Sequence, residues 1–357
     1  MESASQSPRA GASLLASSVG GGILPGWATY AVLGGAAALS TAVLLAAGAF
    51  TAALTLAFTV LVACVAIYAW SRAVEGPRRA RDRVMTMAIA AAFGLAMIPL
   101  FSLIFEVAKR GIPGLSLEFF TSDARGVVGG GGAEHAIVGT LMITGVAALI
   151  SVPIGIMAAI YLTEYGTGRL RRALTFFVDV MTGIPSIVAG LFAYALFEIF
   201  LGPGIRLGVM GSVALSVLMI PIVIRSAEEV LKIVPAHLRE AAYALGTPKW
   251  KTITRIVLPT AFAGLVTGVM LAVARIIGET APLLVTTGVI DSLNSDPFHG
   301  RMQNLAVYAY NEYRSPGLMK QASYDRAWAA ALTLIAIVMI LNVAARLVYR
   351  RYKTEIR

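Results

Sequence analysis

Glu240-Ala241-Ala242-Tyr243-Ala244-Leu245-Gly246, with Ile256 and Leu258-Pro259 at a fixed distance behind it, is a polar stretch enclosed by long apolar runs. Pro235 can open a helix, because its missing N–H would be unpaired in a first turn anyway. Residues 236–245 are good helix formers, and Gly246 suits the left-handed position that closes a helix. Thr247 is then a candidate N-cap and Pro248 a first helical residue. The spacing predicts a second helix to about Ile256, after which Leu258-Pro259 turns the chain into the next apolar run. The expected product is a short helix, a sharp bend and another short helix at a membrane face. Ala241, Ala242 and Ala244 keep this hairpin slim enough to enter a groove, and Glu240 offers a charge to a basic partner. An ordinary amphipathic connection between two spans would read the same way from local physics alone.

The chain around the hairpin is 58% hydrophobic and 13% charged, with a mean hydropathy of +0.79. A soluble chain carries roughly 25% charged residues. A bilayer crossing needs about 20 apolar residues, and such runs recur at about 27–47, 49–70, 84–105, 137–162, 174–200, 207–224, 259–285 and 327–347. The expected fold is an all-α polytopic membrane protein with about eight transmembrane helices. Pro153 and Gly155 predict a kink in the fourth run, and Gly183 and Pro185 disturb the fifth.

The net charge of +10 does not call for a nucleic acid partner, because basic residues collect in cytoplasmic loops of membrane proteins. Arg72, Arg78, Arg79, Arg81 and Arg83 mark residues 71–83 as a basic cytoplasmic linker. Arg169, Arg171 and Arg172 mark a second inner loop, and residues 225–258 a third, the coupling loop. With eight spans both termini are expected in the cytoplasm. The expected layout is a mobile tail over 1–26, a transmembrane hairpin over 27–70, that linker, a span with an outer loop over 84–136, a core over 137–347 and a tail over 348–357. Membrane lipids are the expected surroundings. The single cysteine, Cys64, excludes an internal disulfide, and no Cys/His cluster suggests a metal or other cofactor. Gly246-Thr247-Pro248-Lys249 is too short to be a nucleotide-binding loop, so any ATP driving transport must sit on another chain.

Arg275 and Glu279 fall in the seventh apolar run, four residues apart, which would place them on one helix face. A charge at mid-membrane costs about 2.5–3.5 kcal/mol, so both must face a protein interior or a water-filled cavity. Either Arg275 lends its charge and planar donor fork to a passing oxyanion while Glu279 orients it, or the two neutralise each other and lock the helix. Asp179 is expected to pair with a loop arginine. The tyrosines of the loop at 286–326 are expected as interfacial anchors.

Glu240-Ala241-Ala242, Gly246 four residues after Ala242, and Ile256 with Leu258-Pro259 resemble the EAA loop of bacterial ABC importer permeases. That resemblance implies that Glu240, Ala241, Ala242, Gly246, Leu258 and Pro259 dock into a cytoplasmic ATPase. Ala274-Arg275-Ile276-Ile277-Gly278-Glu279-Thr280-Ala281-Pro282-Leu283-Leu284 is similar to the phosphate-specific permeases of the PstA type. So are His135-Ala136-Ile137-Val138-Gly139-Thr140-Leu141 and Thr182-Gly183-Ile184-Pro185-Ser186. The resemblance covers about 84–347 and leaves out the hairpin at 27–70. It implies a type I ABC importer permease core in the bacterial plasma membrane, without catalytic residues of its own. It further implies a second homologous permease, a pair of ATP-binding subunits, an external phosphate-binding protein and inward movement of inorganic phosphate along Arg275 and Glu279. Another oxyanion, sulfate or molybdate, and a gradient-driven secondary transporter stay open as alternatives.

Overall fold

A computed structural model describes residues 23–48, 50–124 and 131–353. Most of the expected tail at 1–26, part of the glycine run before His135 and the last four residues lie outside these. The regular structure of the described residues is all helical, with no strand among them. Seven helices are long and apolar enough to cross a membrane, or eight if one bent pair counts as a span. The chain divides into two compact units, up to Ile104 and from Phe105 onward.

The first unit holds α1 (Trp27–Ala46), α2 (Ala52–Val74) and most of α3 (Pro77–Gly111). Ala36, Ala63, Ile67 and Met87 form its small buried cluster, with Cys64 half-buried against it. The linker expected over 71–83 is helical on both sides of a break at Glu75-Gly76, where Gly76 takes a φ of +88°. Its charges are folded inward at one point. Glu75 receives the Arg83 guanidinium at 2.6 and 2.8 Å, the Ser71 hydroxyl at 2.6 Å and the Leu24 amide at 2.8 Å. A carboxylate with a side chain only 1% exposed is tolerable because every direction around it is filled by a donor.

The second unit is organised around α8 (Gly208–Ile233). It packs against α5 (Glu134–Ile160) through Ile143, Ala147, Leu215, Met219 and Val223. The Ser212 and Ser216 hydroxyls reach across to the Ile143 and Ala147 carbonyls at 3.0 and 3.4 Å, the kind of interhelical bond that small polar residues make in membranes. Pro153 lies inside α5 without interrupting it, and Gly155 is buried where a Cβ would meet Val223.

Three expectations change. The fifth run is not one straight helix but α6 (Gly168–Thr182) and α7 (Ser186–Leu201), bent by 107° at Gly183-Ile184-Pro185. Proline cannot donate the next helical bond, which ends the first helix there. The seventh run is also broken: α11 (Leu258–Ile276) stops, and α12 (Ala281–Thr286) starts afresh. A proline at 282 removes the N–H that would bond to residue 278 and its ring would clash with that carbonyl. Finally, Leu258-Pro259 does not turn the chain. A short π-helical stretch, Ile253–Val257, carries α10 (Lys249–Thr252) directly into α11, so 249–276 is one continuous rod.

The outer segments also differ from the plain loops expected. Residues 112–124 hold a 3-10 turn and α4 (Leu117–Thr121), and 286–326 contains α13 (Leu305–Arg314) and the first turns of α14 (Lys320–Lys353). Tyr308 is fully buried with its ring edge-on to His135, so it is core rather than an anchor.

The Arg83 guanidinium, aided by Ser71 and Leu24, holds the Glu75 carboxyl at about 2, below its ordinary 4.5, against the opposing effect of burial. A depressed carboxyl contributes stability above its unfolded pKa and loses it as pH falls through the folded one. The contribution of this carboxyl to the first unit's stability is therefore expected to decline from about pH 4.5 and to be gone below about pH 2. In Glu75→Gln that part of the pH dependence vanishes. Tryptophan-fluorescence unfolding of the detergent-solubilised protein across this range checks it.

Candidate functional site

The hairpin forms largely as the spacing predicts. α9 (Ala236–Ala244) follows Pro235 and closes at Gly246, whose φ is +71°. The Gly246 N–H bonds to the Tyr243 carbonyl at 2.9 Å and the Thr247 N–H to the Ala242 carbonyl at 3.1 Å, the paired bonds of a Schellman motif. The second cap differs: Pro248, not Thr247, is the residue before α10, and no side chain caps that end.

Of the six residues expected on the coupling surface, Glu240, Ala241, Gly246 and Pro259 are exposed. Ala242 is buried, and Leu258 packs against the cluster of Ala227, Leu231, Val257 and Ala261. These two hold the hairpin to the helices, Ala242 buried and Leu258 partly so. The exposed apolar surface is instead Tyr243, Leu245 and Trp250, with Leu245 85% exposed at the bend. An apolar residue just before the closing glycine of a polar hairpin was the sequence signal for it.

Sequence reasoning also missed the joint that fixes α9. Arg239 donates to Glu164 at 2.8 and 3.0 Å, and to the Leu231 and Val234 carbonyls at 3.0 and 2.6 Å. It thereby caps the end of α8 and ties the hairpin to the π-helical stretch Tyr161–Tyr165 that ends α5. Glu164 is 7% exposed at its side chain and depends on this partner. Two residues so far apart in sequence gave no local pattern to read. Asp179 does pair with an arginine, Arg225, which lies within α8 rather than in a loop and also holds Glu228 at 2.8 Å.

Arg275 and Glu279 line one cavity of about 330 Å³, together with Thr182, Pro185 and Ser186 at the α6–α7 break and Leu218, Pro221 and Ile222 of α8. They do not share a helix face, because α11 ends at Ile276 and Glu279 lies in the link to α12. The Glu279 N–H bonds back to the Ile276 carbonyl at 3.0 Å. Among the described residues neither side chain has an ion pair or hydrogen bond, so the mutual lock expected as one alternative is not made. Both are left facing the cavity. The link is held in place by close packing: a Cβ on Gly190 of α7 would come within 2.6 Å of Pro282. Arg206 also caps α12 by donating to the Leu284 and Val285 carbonyls, each at 3.0 Å. A free guanidinium beside the unpaired N–H groups of the α7 N-terminus is an environment suited to an oxyanion.

A family model for the inner membrane component of binding-protein-dependent transport systems matches residues 151–356. The chain belongs to that family. Its curated relatives include the phosphate transport system permease protein PstA 1 of Mycobacterium tuberculosis, 46% identical over 275 residues, 76% of this chain and 89% of the relative. The phosphate transport system permease protein PstA of Yersinia pestis is 39% identical over 282 residues, 77% and 92% of the two chains. Among solved structures, a chain of a bacterial alginate ABC transporter complex superposes with a TM-score of 0.55 at 15% identity, over 76% of this chain and 95% of that one. This last likeness concerns the fold alone. The permease, PstA-like in sequence, is thus a multi-pass inner membrane protein.

Two outcomes follow for the hairpin. Gly246→Ala is expected to destabilise the bend by about 1–2 kcal/mol through backbone strain alone, because a Cβ there would meet no atom within 4 Å. Arg239→Gln leaves a buried carboxylate unpaired and is expected to cost about 3 kcal/mol or more, most of it recovered when Glu164→Gln is added. Hydrogen exchange of the amides of 236–247 reads both.

Proposed function

We propose that this chain is the membrane-spanning permease of an ATP-driven importer of inorganic phosphate. Residues 137–347 would form its translocating core, and the hairpin within 225–258 the surface that meets the motor. The observation that carries the reading is the cavity where Arg275, Glu279 and the N-terminus of α7 converge without satisfying one another. A permanent, unpaired guanidinium with a planar fork suits a phosphate oxyanion in passage. The carboxylate close by keeps the anion from settling too tightly to leave.

Membership of a binding-protein-dependent family implies ATPase and binding-protein partners in general. In this reading the ATPases take up Glu240, Ala241, Tyr243 and Leu245, a second homologous permease completes the pathway, and an external phosphate-binding protein delivers the ion. Hydrolysis belongs to the ATPase chain, so this permease is a non-catalytic subunit without a cofactor. The distribution of arginines supports cytoplasmic termini. The continuity of 249–276 gives the motion a direct route. Its 28 residues make a rod of about 42 Å, with the hairpin at one end and Arg275 at the other.

Phosphate uptake into vesicles carrying the full complex tests the reading. Arg275→Gln is expected to abolish uptake while the subunits still co-purify, and Arg275→Lys to retain part of it, keeping the charge but losing the fork. Normal uptake by Arg275→Gln would remove this residue from the pathway. Sulfate and molybdate are expected not to compete with labelled phosphate.

A further inference from the structure

The N-terminal unit carries a groove of about 1010 Å³ between α1, α2 and α3 that the transport reading does not use. Its two ends differ. Thr29, Tyr30, Arg83 and Thr86 line one end, while Phe50, Ala52, Leu95 and Ile98 line the other. Between them Thr41, Thr55 and Thr59 donate their hydroxyls to backbone carbonyls four residues back, so these three threonines offer no free hydroxyl proton to the middle of the groove. Gly94 and Ala90 of α3 keep the floor low, and a Cβ on Gly94 would meet nothing within 4 Å.

From Arg83 to Ile98 along α3 is about 22 Å at 1.5 Å per residue. Leu33, Leu56, Val60, Met87 and Leu95 line that length, an apolar trough that suits hydrocarbon chains laid along the helices. The polar end supplies the sign of the headgroup. Arg79 lies one helical turn before Arg83 on the same face of α3, is exposed, and has no hydrogen-bond or ion-pair partner among the described residues. Arg83 itself is already neutralised by Glu75, so Arg79, one turn beyond the lining, is an uncompensated charge near the polar end.

We propose that this groove is a binding site for one anionic phospholipid, its acyl chains between α1 and α3 and its phosphate at Arg79 and the hydroxyls of Thr29, Tyr30 and Thr86. The site lets three loosely packed helices, of which α3 buries none of its apolar window, complete their core with lipid.

The test uses the purified full-length chain in nanodiscs, with phosphatidylglycerol or phosphatidylcholine probes carrying a photoreactive group at the acyl end. Phosphatidylglycerol is expected to label the stretch around Leu95 and Ile98 in preference to phosphatidylcholine. Arg79→Gln is expected to reduce that labelling roughly fivefold, the effect of one arginine near an anionic headgroup, and to leave phosphatidylcholine labelling unchanged. Gly94→Phe, which fills the groove, is expected to abolish labelling by both probes. Gly94→Leu, a good helix former, gives the same result with the fold retained by circular dichroism. Equal labelling by the two lipids, labelling that spares the groove, or a photocrosslinker at position 94 that captures a protein helix would each overturn the proposal.

Discussion

The permease core is held together by the seam between α5 and α8. In a bilayer, apolar side chains gain nothing by leaving lipid for one another, so helices associate through close packing and hydrogen bonds. The seam supplies both, with Gly155 seated against Val223 and with Ser212 and Ser216 bonded to carbonyls of α5. As a result α8 is the most enclosed span, 61% of its apolar window buried against 33% or less elsewhere. The cavity and the hairpin are both placed against it. Its middle lines the cavity of Arg275 and Glu279, Arg225 ties it to α6, and its last carbonyls are capped by the arginine that anchors the hairpin.

Breaks in helices, rather than helices, create the cavity. Pro185 and Pro282 each end one segment and start another, and residues of both breaks line one cavity together with α8. Irregular backbone at membrane depth is tolerable only where protein or a water-filled space satisfies it. The same breaks that would be costly in lipid therefore mark the place where a polar solute can be accommodated. The hairpin shows the complementary device. There a π-helical stretch keeps the chain helical across a proline, so the rod from hairpin to cavity is unbroken.

Much of this was legible in the residues. Hydropathy gave the all-helical membrane fold, the Pro235–Gly246 pattern gave the first half of the hairpin, and the position of Arg275 and Glu279 inside an apolar run marked them as charges that must face protein or water. Less legible were the features that depend on residues far apart. The Arg239–Glu164 joint, the burial of Ala242 and the fate of Leu258-Pro259 depend on what packs beside them, and local propensity says nothing about that. The same holds for Arg275 and Glu279: their spacing suggested one helix face, but the link before Pro282 turned them toward a shared cavity by another route.

By itself the sequence determined that the chain lives in a membrane, where its spans begin to be apolar and which charges are too expensive to be incidental. These are consequences of solvation, which acts on each residue separately. The tertiary structure alone decided which of those charges remain unpaired. Arg83, Arg225 and Arg239 are neutralised by carboxylates brought from other turns or other helices, whereas Arg275 has no such partner among the described residues. Pairing requires two groups to meet in space, and only the packing of helices against one another brings them together.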